Sequence, residues 1–348
     1  ISGETFENYV ADNIFTAMAM SDATYHYTDA VKSFGATAYK HGNKPQPYKH
    51  IIMRPAGAIN ASIEDMAKFT QLFLNDALGV LNPGSIARME RSESTNAGVL
   101  NMAYGLNNAA NQYENWVYRG HDGSLNGHSA LLQYLPEAGV GFVIMQNSNN
   151  MAALNQISEL IKSYQTHQLA INTISTEQPM NPTQLALDGY YYVINPRIDK
   201  SHFLNRLLAV YQVSADPEGL TIAALLPGSQ PERFYPVSHN RRAFKSSKHG
   251  LVAMTMSEDP LAGKVLHYGD KVLQPTHLLT VYGQFVIAIL WLLSIVSSLL
   301  FFVIWGIRKL MGKIPSGDPT QIRLWPLFSS VAAVCLVLSL MIGMQNPY

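Results

Sequence analysis

Apolar residues at Phe6, Tyr9, Val10, Ile14 and Phe15 recur at helical spacing, and Thr5 stands where a hydroxyl can accept the first free N–H, so a helix is expected to open there. The same signal is stronger at Ser62-Ile63-Glu64-Asp65, where hydroxyl and carboxylates precede the stripe Met66, Phe69, Leu72 and Phe73. Residues 25–58 carry His, Tyr, Gly and Pro without a period and read as an irregular segment over the surface, the kind of loop that often walls a site. Asn115–Arg119, Ser129–Leu135 and Val140–Gln146 read as strands, the last two forming an antiparallel hairpin through Pro136-Glu137-Ala138-Gly139. Leu154, Ile157, Leu160, Ile161 and Tyr164 then mark a closing helix. Antiparallel strands with helices packed on them predict an α/β (α+β) sandwich over residues 1–168.

A polar linker, 169–182, carries Thr176, Gln178, Pro179, Asn181 and Pro182. Beyond it the runs are short and separated by turns: Tyr190–Ile194, Leu208–Val213, Leu220–Leu225, Val252–Met256 and Lys264–His267. They predict a small, mainly-β accessory domain over 183–273, with no catalytic constellation, in which Tyr190, Tyr191 and Tyr192 belong to the core.

The last zone changes character. Residues 285–307 contain no charged side chain, and at 1.5 Å rise per residue they span roughly 34 Å, matching a hydrocarbon core of about 30 Å. Residues 324–344 form a second such run, so two transmembrane helices are expected. The loop between them, 308–323, carries Arg308, Lys309, Lys313 and Arg323 against Asp318, which places it in the cytoplasm and the large N-terminal domain outside.

Composition agrees with a membrane portion. Charged residues make up 14% of the 348 and hydrophobic ones 47%, while Lys plus Arg and Asp plus Glu balance at 24 each, so no net field draws the chain to nucleic acid. The single cysteine, Cys335, lies in the last apolar run and cannot form an internal disulfide. The chain opens at Ile1 without an initiator Met or a leader, and closes at Tyr348 just past the second apolar run; it is expected to be cut at its front, and at its back as well.

The densest polar and Gly-rich stretch is Tyr118-Arg119-Gly120-His121-Asp122-Gly123-Ser124-Leu125-Asn126-Gly127-His128. Glycines there let backbone approach a ligand, and exposed N–H groups at a strand edge can stabilise an oxyanion. Read from the residues alone, it is equally a polar connection between strands. His121, Asp122 and His128 match no zinc spacing such as H-E-x-x-H, and no third ligand is indicated, so neither a metal nor a cofactor is expected. His26, His41 and His50 read as solvated loop residues, and Arg54 as a residue of the surface or of a cleft wall.

Taken in order, Ser2-Gly3-Glu4-Thr5-Phe6-Glu7, Asn13-Ile14-Phe15, Met20-Ser21-Asp22-Ala23-Thr24, Pro55-Ala56-Gly57, Ser62 to Phe69, Tyr104-Gly105-Leu106 and Gly120-His121-Asp122-Gly123 resemble the second half of the serine β-lactamase-like family. That family contains class C β-lactamases, D-alanyl-D-alanine peptidases and related esterases. The resemblance implies a β-lactamase/transpeptidase-like domain truncated at its N-terminus, and the β zone followed by membrane spans resembles membrane-anchored bacterial members.

Family chemistry uses S-x-x-K for the nucleophile and its base, Y-x-N for proton transfer, and K-T-G or H-x-G on an adjacent strand. Only the third is present in its place. The resemblance implies that His121 stands for the motif's Lys and Asp122 for its Thr, that Gly123 keeps the strand flush with substrate, and that the Ser124 N–H is one oxyanion donor. Asn126 and His128 join Asp122 as substrate-binding candidates. No S-x-x-K occurs in the chain, and Tyr113-Glu114-Asn115 satisfies Y-x-N only in the wrong order, just ahead of the H-x-G strand. No G-x-S-x-G occurs either, which removes the α/β-hydrolase alternative. Asp122 puts a negative charge where carboxylate-recognising members hold their substrate's acid group, and a histidine at 121 is largely neutral at pH 7. Both tilt the expectation toward an ester or uncharged amide.

The expected protein is therefore a membrane-anchored serine hydrolase working through an acyl-enzyme outside the bacterial cytoplasmic membrane. Its partners are a small-molecule or peptide substrate and the lipid bilayer, and the 348 residues are expected to be inactive by themselves. The alternative is a non-catalytic envelope binder or sensor on the same fold.

Overall fold

The computed structural model describes residues 2–40, 44–91, 104–125, 127–171, 174–176, 179–195, 206–226, 228, 230–238, 240–314 and 320–345. His41 and Asn126 lie outside them.

Thr5 caps α1 (Phe6–Val10) by accepting from the Asn8 N–H at 3.3 Å, and the helix widens into a π turn over Ala11–Phe15. Val10 and Phe15 are buried, together with Met18, Met20 and Tyr25. The irregular stretch contains short elements: α2 (Asp29–Phe34) and a hairpin of β1 (Ala38–Lys40) with β2 (Lys44–Gln46). Ser62 caps α3 (Ile63–Leu74) as expected, accepting from the Asp65 N–H. The Asp65 carboxylate is itself buried, where it accepts from the Asp22 N–H at 2.8 Å and pairs with Lys68 at 3.2 Å. A second short helix, α4 (Ser85–Glu90), precedes the sheet.

Four antiparallel strands follow in sequential order: β3 (Ala109–Tyr113), β4 (Trp116–Leu125), β5 (His128–Leu135) and β6 (Val140–Gln146). β6 and the β5–β6 hairpin were legible; β3 was not, and β4 runs six residues beyond the expected Arg119, because its pairing with β5 continues to Leu125↔His128. Helices cover both faces. Tyr134 of β5 stacks on Phe73 of α3, while Gln133, the next residue back, meets Ser158 of α5 (Met151–Thr166) on the other side. Gly141 lets α3 cross β6 closely, since a Cβ there would come within 2.8 Å of the Thr70 methyl.

α5 turns its polar side inward. Leu154, Ser158, Lys162 and Thr166, four residues apart, are buried along the sheet, whereas Ile157, Leu160 and Tyr164 are exposed. Lys162 reaches out to Glu159 at 3.1 Å and lies over the rings of Tyr113 and Tyr118, which accounts for its burial.

The accessory zone departs from a loose set of short runs. After α6 (Pro182–Leu185), eight strands form a closed antiparallel barrel in sequential order: β7 (Gly189–Val193), β8 (Val210–Asp216), β9 (Gly219–Ala224), β10 (Glu232–Val237), β11 (Asn240–Ser246), β12 (Val252–Asp259), β13 (Gly263–Tyr268) and β14 (Lys271–Thr276), with β14 pairing back to β7. Closure leaves no free edge. Its interior is filled by Tyr191, Val213, Leu220, Ile222, Phe234, Phe244, Met254, Leu266 and Leu273, and Met180 of the linker joins them. Of the three tyrosines expected in this core, only Tyr191 belongs to it; Tyr192 packs on the outer wall with Val210, and Tyr190 beside it.

Two helices end the chain, α7 (Leu278–Leu310) and α8 (Thr320–Gln345), packed against each other. α7 is long and apolar enough to cross a membrane, and is unburied over its apolar stretch. The expectation of two spans is not met: among the described residues only α7 is long and apolar enough to cross a membrane, and in α8 the apolar stretch described is Leu324–Ser339, with Pro326 inside its first turns.

Candidate active site

The H-x-G residues lie on a strand, and the neighbouring strand stops just before them. β3 pairs with β4 from Tyr113↔Trp116 to Ala109↔Gly120, so among the described residues His121, Asp122, Gly123, Ser124 and Leu125 pair only with β5. A strand edge carries unsatisfied main-chain N–H and C=O groups, which an extended ligand can pair with.

The departure of β3 at this point is built by a buried polar network. Asn108, just before β3, accepts from the Gly120 N–H at 3.2 Å and donates from Nδ2 to the Tyr134 hydroxyl at 2.7 Å. Tyr134 in turn donates to Glu90 Oε1 at 2.9 Å, and Arg119 donates to the Glu90 carbonyl at 2.9 Å. Burial and the adjacent Glu90 carboxylate hold the Tyr134 phenol well above its ordinary pKa, so it stays a donor. Gly120 is required there: its φ is +142°, and a Cβ would fall 2.0 Å from the Leu132 carbonyl oxygen.

Register separates the two polar side chains of the motif. His121 is opposite Leu132 and Asp122 opposite Leu131, so they project from opposite faces of the sheet. His121 is half-buried beside Tyr104, with ring centroids 5.7 Å apart at 78°. Its Nδ1 lies 2.5 Å from the Asp122 carbonyl oxygen, which takes the Nδ1–H tautomer and leaves Nε2 without a partner among the described residues. Asp122 is exposed at the rim of a cavity of about 180 Å³ on the α5 side, lined also by Leu131, Gln133, Asn155 and Ser158.

Gly123 is exposed, and a Cβ on it would meet nothing within 4 Å, so its surface is open to a ligand. The Ser124 hydroxyl accepts from Asn149 Nδ2 at 2.9 Å; the same Asn149 accepts from the Gly127 N–H at 2.6 Å and donates to the His128 carbonyl at 3.3 Å. His128 is turned away from this edge's polar groups to the Ala36 carbonyl, 3.1 Å from Nε2. Sequence reasoning missed Asn108, Glu90, Tyr134 and Asn149, because none stands in a motif and each acts from a distant part of the chain. Arg54 pairs with Glu7 at 2.5 Å. Tyr113-Glu114-Asn115 forms the β3–β4 turn, at the opposite end of β4 from Gly123, with Glu114 in the left-handed region at φ 49°. That turn and barrel residues including Lys245, Lys248 and His249 line a larger open cleft of about 710 Å³.

The β-lactamase family profile matches residues 1–163. Among solved structures, the chain is similar to an octameric penicillin-binding protein homologue from Pyrococcus abyssi (16% identity, 78% of this chain and 60% of that one, TM-score 0.38). It is also similar to a class C β-lactamase from Rhodobacter sphaeroides (17% identity, 48% and 56%, TM-score 0.38). A third is a β-lactamase/D-alanine carboxypeptidase from Pseudomonas syringae (12% identity, 45% and 53%, TM-score 0.34). The chain thus spans little more than half the length of these proteins. No curated protein matches it.

Proposed function

Over residues 1–163 this chain belongs to the β-lactamase family of serine hydrolases, and on that premise we propose that β4 supplies one wall of an acyl-enzyme site whose nucleophilic serine and base come from outside these 348 residues. The observation that carries the reading is the edge of β4 from His121 to Leu125, which among the described residues has no strand beside it beyond the last β3 pair, Ala109↔Gly120. Substrate lies along that edge. The Gly123 surface lets it approach, the Ser124 N–H stabilises the oxyanion, and His121 Nε2 assists proton movement at the leaving group. In the acyl-transfer scheme the serine oxygen adds to an ester or amide carbonyl, the leaving group departs with a proton, and water then releases the acyl group.

Asp122 and Asn126 shape the surroundings of that substrate, His128 being engaged with the Ala36 carbonyl instead, and the exposed Asp122 carboxylate disfavours an anionic group beside the strand. The favoured substrate is therefore a neutral ester or amide. The test has two parts. A serine-directed fluorophosphonate leaves this chain unlabelled, and labelling would overturn the assignment. The serine-containing protein hydrolyses neutral esters in preference to anionic β-lactams; the reverse preference would sink the substrate reading.

α7 anchors the protein in the bacterial cytoplasmic membrane. Arg308, Lys309 and Lys313 at its C-terminal end lie on the cytoplasmic side and the hydrolase domain outside. The absence of S-x-x-K from the chain favours one second reading, an envelope binder that uses the β4 edge without catalysis. Fluorophosphonate labelling of the protein as it occurs in its own membrane separates the two: a labelled band supports the hydrolase, and its absence the binder.

A further inference from the structure

α7 is docked on the barrel before its apolar span begins. It starts at Leu278, just after β14 ends at Thr276, beside Tyr190 on β7. The Tyr190 and Tyr282 rings meet edge to face with centroids 6.1 Å apart. Val281 is fully buried with Tyr192 and Val210, and Leu225 and Phe285 pack around them. The helix therefore runs back along the outer wall, toward the end of the barrel where β7 finishes, β8 begins and β9 finishes.

Its last polar residue before the uncharged run, Gln284, is satisfied at that rim, donating from Nε2 to the Arg206 carbonyl at 3.0 Å. Directly beyond, Val286, Ile287, Ile289 and Leu290 are all exposed among the described residues. One turn of helix rises about 5.4 Å. The hydrocarbon boundary thus falls within about a turn of the rim residues Arg206, Leu207 and Leu208. Their chemistry suits that depth: Leu208 is 51% exposed, and the exposed Arg206 guanidinium stands 5.1 Å from the centre of the Tyr192 ring. An aliphatic side chain, an aromatic body and a guanidinium at one level is the composition of a membrane interface.

We propose that the barrel rim at Arg206–Leu208 is seated in the headgroup region of the bilayer that α7 crosses, with Leu208 among the outer acyl carbons and Arg206 against lipid phosphates. This rests on reading α7 as a membrane span. The barrel is then a rigid pedestal, and the β4 edge is held at a fixed height above the lipid.

The test is depth measurement in phosphatidylcholine–phosphatidylglycerol vesicles. In a Cys335→Ser background, a single cysteine replaces Leu208, Leu261 or Leu293 and carries an environment-sensitive fluorophore; the vesicles contain lipid with a nitroxide either near the headgroup or deep in the chain. Leu261, 98% exposed in the β12–β13 turn at the far end of the barrel, reports water, and Leu293, within the span, reports the bilayer interior. The expected result is several-fold stronger quenching of position 208 than of 261 by the shallow nitroxide, with 293 quenched most by the deep one. Position 208 behaving like 261 while 293 is lipid-buried overturns the seated rim and leaves the span intact. An unquenched 293 removes the span reading, and the seated rim with it.

Discussion

Asn108 donates to the Tyr134 hydroxyl over 2.7 Å while its own oxygen accepts from the Gly120 N–H, so one buried amide ties the end of β5 to the point where β4 loses its β3 neighbour. Truncating this network leaves buried polar atoms without partners. Tyr134→Phe removes the hydroxyl that both Asn108 and Glu90 use, and should cost about 1–3 kcal/mol, read as a lower midpoint in urea unfolding of the detergent-solubilised chain. An unchanged midpoint would mean that water replaces the hydroxyl without loss.

The two glycines of the motif should behave oppositely. Gly120→Ala puts a Cβ against the Leu132 carbonyl oxygen at a φ of +142° and should destabilise by about 1–3 kcal/mol or more. Gly123→Ala meets nothing and should leave stability within about 0.5 kcal/mol, while hindering any ligand that lies along β4. Thermal unfolding of the two variants side by side checks the contrast in stability. Equal destabilisation would mean that the Gly123 surface is not open.

The contrast between those glycines shows what local pattern can and cannot reveal. The caps at Thr5 and Ser62 and the β5–β6 hairpin were legible because their signals are contained within a few residues. β4 read as ending at Arg119 because Gly120, His121, Asp122 and Gly123 look like a connection; only the facing β5, which supplies partners as far as His128, makes them a strand. β10, β11 and β14 escaped notice for a related reason. Glu232 is buried in β10 because Ser246 and Tyr268 of other strands donate to its carboxylate, and Pro275 is tolerated in β14 because it pairs with Tyr191 of β7 but lies past Leu273, the last residue paired with β13. The motif residues themselves were legible, but the polar network that frames them was not, since its members are Glu90, Asn108 and Tyr134, far apart in sequence.

The barrel should lose stability on mild acidification. His267 is buried on β13, its Nε2 2.7 Å from the Ser257 hydroxyl, and burial depresses its pKa below the ordinary 6.5 despite the opposing charge of Asp259. Because the unfolded chain takes up the proton first, the contribution is fully present above about pH 6.5 and is lost as pH falls through the depressed folded value. The urea midpoint should therefore drop between pH 8 and pH 5, and His267→Gln should flatten that part of the profile. A profile equally steep in the variant would place the acid sensitivity elsewhere.

α5 offers the clearest separation of apolar composition from burial. Leu154 is 1% exposed, whereas Leu160 and Tyr164 are 72% and 78% exposed, although all three belong to the apolar residues that mark the helix. The line Leu154, Ser158, Lys162, Thr166 faces the sheet because β5 presents Gln133 to Ser158, and Tyr118 of β4 accommodates Lys162 over its ring. Leu154→Ala should thus cost about 2–5 kcal/mol in urea unfolding, by loss of packing and the cavity it leaves. Replacing Ile157, Leu160 and Tyr164 together with Gln should cost under about 1 kcal/mol, since each already faces solvent and glutamine is as good a helix former. If the triple variant unfolds as easily as Leu154→Ala, those side chains are covered in the folded protein and the inward line of α5 is a different one.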